Sequence, residues 1–290
     1  MSIKIRLIIM NFLQFAVWGA YLTSMGSYLV NVGLHEHIGM FYAMQGIVSL
    51  FMPAVLGIIA DRWIPAQKLL SFSHFTAALF MAAAGYYGMT KGADVDFGTL
   101  FTLYSLSVAF YMPTLALSNS VAYTALDKAG LDTIRTFPPI RIFGTIGFIC
   151  SMWVVDLLGL QNNYGQFFAC AIIGVAYGVY ALTLPECPTS KGDNAKSLVE
   201  ALGLRDFTLF KQKKMAVFFI FSMLLGVSLQ ITNGFANPYI SSFGSIPEYA
   251  GTFGVQHANI LISLSQISET LCILLIPFFL KRFGIKQVML

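Results

Sequence analysis

Apolar residues in this chain come in long runs separated by short polar turns, and that spacing predicts helices that cross a bilayer. Windows of about 20 apolar residues are long enough to span the hydrocarbon core. They mark eight spans, near Ile5–Val32, Ile38–Ala60, Lys68–Met89, Phe97–Leu126, Phe137–Gly159, Gln166–Leu184, Met215–Ile240 and Thr252–Leu280. Lys4 and Arg6 precede the first span, but it is too long for a signal-peptide core. It also has no convincing small-residue cleavage site, so it is expected to remain as an anchor. The fold class is an all-α integral membrane protein.

Between Gly254 and Leu280, Glu269 is the one residue among Asp, Glu, Lys and Arg. A carboxyl group at the centre of a membrane helix costs several kcal/mol by order of magnitude, so it faces a bundle interior or a wet cavity and has a task there. Gln266 stands one turn earlier on the same face. Span seven places Gln230, Asn233 and Asn237 on one face at i, i+3 and i+7. Its Asn233-Gly234 and Asn237-Pro238 pairs are expected to interrupt that helix toward its outer end. Span five carries Arg141, Thr145 and Phe148 at i, i+4 and i+7, again one face. Span one has a stripe of Asn11, Gln14, Trp18 and Tyr21, which suits either a central cavity or a helix-packing seam. Asp156, near the outer end of span five, reads as interfacial.

The 290 residues are 57% hydrophobic and 10% charged, against roughly 25% charged in ordinary soluble domains. The positive charges then set an orientation. Lys4, Arg6, Arg62, Lys68, Lys128 and Arg135 fall at one set of span ends, with Lys191, Lys196, Arg205, Lys211, Lys213, Lys214, Lys281, Arg282 and Lys286 on the same side. Lys91 alone lies in a loop on the other side. Positive residues stay cytoplasmic, so both ends of this chain are expected inside. The net charge of +4 is an insertion signal, and because its basic residues are dispersed among membrane turns no nucleic-acid partner is expected. Cys150, Cys170, Cys187 and Cys272 show no metal or redox spacing and read as small buried hydrophobes. His35, His37, His74 and His257 lack ligand-spaced partners and read as satisfied or solvated. No cofactor is expected. No nucleophile–base pair or phosphate-cradling loop stands at a working spacing, which argues against an enzyme.

Six spans are followed by the polar stretch from Pro185 to Lys214 and then by two more. The expected division is a six-helix bundle over 1–185, a cytoplasmic linker over 186–214, and the first two helices of a second bundle over 215–290. Within the linker, SLVEALGL has a short amphipathic pattern suited to a membrane surface. Gly57, Asp61 and Arg62 after span two are echoed 220 residues later by Pro277, Lys281 and Arg282 after span eight, as in transporters built from duplicated halves. The echo carries the expectation that four further spans follow Leu290.

GxxxDR after span two is similar to the loop signature of the major facilitator superfamily, with Ile64-Pro65 where its usual glycine stands. More specific are FLQFAVWGAYLTSMGSYL from Phe12, FPPIRIFGTIGF from Phe137, FFIFSMLLG from Phe218, LQITN from Leu229 and SQISETL from Ser265. Together these resemble the bacterial permeases of the nucleoside:proton symporter family, in order along the whole chain. The resemblance implies a major facilitator-type bundle, here the N-terminal six helices plus the first two of the C-terminal bundle. It implies proton-coupled nucleoside import across the bacterial inner membrane by alternating access, with a small-molecule nucleoside, protons and the lipid bilayer as partners. It also implies that Arg141, Thr145, Phe148, Gln230, Asn233, Gln266 and Glu269 contact substrate and that Glu269 couples the proton.

Two other readings suit the residues. A membrane acid, an arginine and several amides would also serve a sugar or oligosaccharide:proton symporter of the same fold. A non-transporting scaffold fits the hydropathy, but it would gain nothing from an intramembrane Glu269.

Overall fold

The computed structural model describes residues 2–189 and 209–289, and among them no strand occurs. Ten α-helices follow one another there: α1 (Ile3–Gly19), α2 (Met25–Asn31), α3 (Ile38–Arg62), α4 (Ala66–Lys91), α5 (Phe97–Lys128), α6 (Thr133–Leu157), α7 (Gly165–Ala181), α8 (Lys213–Ser242), α9 (Phe253–Gln256) and α10 (Ala258–Met289). The expected basic residues Lys191, Lys196 and Arg205, the SLVEALGL stretch and most of the 186–214 linker lie outside the described residues.

The polar residues at the turns set where the helices begin and end. The Asp96 carboxylate accepts the Thr99 N–H at 2.8 Å and its hydroxyl at 3.1 Å, capping α5. Those bonds, led by the backbone one, favour the ionised form and hold the Asp96 carboxyl below its usual range. Asp132 caps α6 through the amides of Ile134 at 2.9 Å and Arg135 at 3.3 Å. At the far ends, Gly130 and Gly159 adopt φ of 66° and 67°. That left-handed turn lets Leu131 N–H reach the Leu126 carbonyl and Leu160 N–H reach that of Val155.

Two interruptions differ from expectation. Span one is not one helix, because α1 stops at Gly19 and α2 restarts at Met25. The carbonyl of Leu22 within that turn is taken by the Tyr42 hydroxyl, so the loosened backbone stays satisfied. Span seven, by contrast, is unbroken: α8 runs through Asn233-Gly234 and Asn237-Pro238 to Ser242. Pro238 lacks an N–H for the Gly234 carbonyl, and Gly26 of α2 lies against that carbonyl and the Pro238 ring. The proline therefore makes a close helix crossing in place of a break.

Helices α1 to α7 form one packed unit, with α1 along α6, α4 along α5 and α7, and α3 along α5. In lipid, apolar burial does not drive helices together, so close packing and polar bonds must. The stripe on span one serves as a packing seam. Gln14 donates to the Thr114 hydroxyl at 2.8 Å, and its side-chain oxygen stands 3.3 Å from His74 Nε2. Trp18 donates to Gln45 at 3.2 Å, and Tyr21 packs edge-on against Tyr104. After α7 the chain folds back: Cys187 N–H bonds to Gln67 and Lys128 to the Glu186 carbonyl. Burial pushes the Cys187 thiol up. Cys170 and Cys187 are buried as expected, but Cys150 and Cys272 are exposed on helix surfaces. An exposed thiol on an apolar helix still behaves as a small hydrophobe.

Helix α8 is the inverse of a water-soluble helix. The residues it buries are Asn233, Gly234 and Asn237, while Phe218, Leu224 and Ile231 face outward. Among the described residues, five helical stretches are long and apolar enough to cross a membrane: His35–Arg62, Ala66–Lys91, Phe97–Lys128, Thr133–Leu157 and Lys213–Ser245.

Candidate functional site

The site is built on a contact between two glycines and two carbonyls. A Cβ on Gly19 would fall on the Phe148 carbonyl, and one on Gly147 would fall on that of Phe12. Only glycine lets the α1 and α6 backbones meet this closely, as small residues do at membrane helix crossings. The contact places Arg141 with its guanidinium carbon 3.8 Å from the centroid of Phe15. One and two turns along, Thr145 is half-buried and Phe148 is buried with the Trp18 ring edge-on at 6.3 Å.

On the other side of the seam, Asn233 donates to the Gln230 side-chain oxygen at 3.1 Å. Gly234 next to them packs against the Tyr42 ring. Helix α10 lies along α6 and carries a half-buried Gln266 and an exposed Glu269. The Arg141 guanidinium lies within electrostatic reach of the Glu269 carboxylate. The structure thus brings Arg141, Phe148 and Glu269 to one seam, with Thr145 on the same α6 face. Among the described residues, no hydrogen bond links Gln230, Asn233 or Gln266 to Arg141. Such a set can do a defined job: a cation and an anion with free bonding capacity, amides for hydroxyl and carbonyl groups, and aromatic faces for a flat ring.

Within the unit formed by α1 to α7, a small cavity lies beside the span-one stripe. The cavity beside His74, Tyr21 and Tyr111 is about 10 Å³, room for a single water.

A second polar group was not foreseen. At the end of the molecule where α2 and α6 finish, Asn237 of α8 bonds to Ser27, Gln161, Asn259 and Ser241 at 2.5, 3.3, 2.7 and 3.2 Å. Thr23 donates to Asn259 at 3.1 Å, Gln161 to the Gln256 carbonyl at 2.8 Å, and Trp153 to Ser263 at 2.7 Å. Asp156, read as interfacial, is buried and bonded to His257 and to the start of α10. The signal was present as unexplained polar residues near span ends, but no spacing rule pairs positions a hundred residues apart.

Residues 1–290 match the family described as nucleoside H+ symporter. The chain belongs to that family. Within it, the xanthosine permease of Escherichia coli (strain K12) is 45% identical over 295 residues, which cover 100% of this chain and 68% of that protein. The nucleoside permease NupG of the same organism is 47% identical over 294 residues, with 100% and 68% covered. A crystal structure of the nucleoside transporter NupG superposes with a TM-score of 0.85 at 45% identity, covering 100% of this chain and 70% of that one. A mutant of the same transporter gives 0.89. The bundle described above is therefore a major facilitator-type transporter fold shared with this symporter family.

Proposed function

We infer that this chain imports nucleosides together with protons, working by alternating access, and that it is not an enzyme. The observation that carries the reading is the family match along the whole chain, joined to an acid and an arginine facing one seam between α6 and α10. Rocking of a unit over 1–185 against one that begins near 215 would expose that seam to each side in turn. The basic residues at the Arg62, Lys128 and Arg135 ends support a cytoplasmic N-terminus in a bacterial inner membrane. The end where α2 and α6 finish is then outside.

In this mechanism Glu269 takes a proton from outside. The nucleoside then enters, its polar edges met by Gln230, Asn233, Gln266 and Thr145, its ring by Phe148, and its ribose or base oxygens by Arg141. A dry site with those groups unpaired rejects solutes that cannot bond to them. Closing the outer side and opening the inner one releases both. Each positive charge carried inward draws on about 2.3 kcal/mol per 100 mV of membrane potential.

The test is uptake of labelled uridine into proteoliposomes with and without an inward proton gradient. Gradient-dependent accumulation that adenosine competes away is the expected result. Sugar uptake in its place would keep the fold and discard the substrate.

A further inference from the structure

A buried carboxylate joins the helix that carries Arg141 to the helix that carries Glu269. Asp156 lies in the last turn of α6, and its side chain is 0% exposed. One oxygen stands 2.5 Å from Nδ1 of His257. The other accepts the N–H of Asn259 at 3.0 Å and that of Ile260 at 3.3 Å. Those amides belong to the first turn of α10, which has no earlier carbonyl to bond, and a negative charge suits a helix N-terminus. His257 immediately precedes α10 and packs against the Phe253 ring at 4.9 Å between centroids. The three partners sit on one helix end, so the carboxylate fixes α10 to α6 in distance and in rotation.

We infer that Asp156 is a positioning residue for transport: it latches the outer end of α10 to α6 while the site is closed to the outside, and its release opens that side. This rests on the alternating-access reading. Around Asp156, the bonds from the α1–α2 turn, α2, α6 and the α6–α7 turn to the α8–α10 segment come from amides, hydroxyls and the Trp153 indole. A neutral bond of that kind can loosen alone. A carboxylate cannot be left unpaired in a dry seam. It either keeps its partners or is released to water entirely, which makes the closure two-state.

The experiment uses the full chain in lipid, with its native cysteines replaced and nitroxide labels on Leu158→Cys and Glu248→Cys. Both positions are exposed and lie on opposite sides of the seam. Pulsed electron resonance should give mainly one short distance in the parent and in Asp156→Glu. A second, longer distance should appear in Asp156→Ala and His257→Ala. In uptake, Asp156→Asn should lower KM for external nucleoside and the maximum rate together, each several-fold, because the outward-open state is overpopulated. A merely structural defect would lower the maximum rate alone. Unchanged distance distributions in variants that melt like the parent would overturn the proposal. Where Asp156→Ala does not fold, His257→Gln, which leaves the carboxylate on its two amides, is read the same way. The distances need no substrate, so failure of nucleoside uptake would sink the proposed transport and leave the latch to be judged separately.

Discussion

The guanidinium carbon of Arg141 on α6 sits over the ring of Phe15 on α1, 3.8 Å from its centroid. A cation in a membrane helix needs a partner, and an aromatic face supplies attraction without consuming an N–H. The donors of Arg141 therefore remain available to a solute while the side chain is held away from lipid headgroups.

Phe15→Leu keeps the bulk and removes the ring quadrupole. Loss of about 1 kcal/mol of cation–π attraction should weaken nucleoside affinity roughly fivefold, read as a raised Kd by calorimetry. Arg141→Lys should cost more, since a point charge cannot stack or bond in two places. Unchanged affinity in both variants would remove Arg141 from the substrate site.

Glu269→Gln preserves shape and one acceptor but cannot carry a proton. Gradient-driven accumulation should be abolished while exchange of labelled for unlabelled nucleoside across the membrane continues. Full accumulation by this variant would show that the proton travels elsewhere.

Asn237 is completely buried and bonded to four side chains on four segments. Asn237→Ala should destabilise the protein by about 2 kcal/mol, because partners are left unpaired. The fall should appear as a lower apparent Tm in detergent. Ile231→Ala on the outward face of the same helix should move Tm far less.

Asp96 gives a pH dependence of defined sign. Its carboxyl is held low by the Thr99 bonds, so the capping contribution is present above the unfolded value of about 3.9 and is lost as pH falls through the lower folded value. Thermal melts across acid pH should show part of the stability loss disappearing in Asp96→Asn. Superimposable profiles for parent and variant would count against the cap.

The spans were legible because hydropathy in lipid acts on each segment independently, so α3 to α8 need no knowledge of partners. The acid at 269 was legible for the same reason, since one charge in a long apolar run is anomalous by itself. Breaks were not legible. Pro238 reads locally as a helix breaker, but whether its orphaned carbonyl matters depends on Gly26, which comes from another helix. Likewise span one has no proline, and its turn at Ala20–Ser24 is held by Tyr42 from α3. Asp156 was legible only in part: its depth along the helix suits an interface, while its partners come from α10, which no local pattern reports.

The outer seam has an electrical consequence. Asn237, Asn259, Gln161, Thr23 and Ser27 are neutral, so parting them exchanges protein bonds for water bonds nearly one for one and moves no net charge. Membrane voltage has no handle on those groups, so the electrical part of opening and closing at this end rests on the Asp156 carboxylate and its His257 partner. The rest of the electrical work of the cycle falls on the acid at 269 and its arginine neighbour, deeper along α6 and α10.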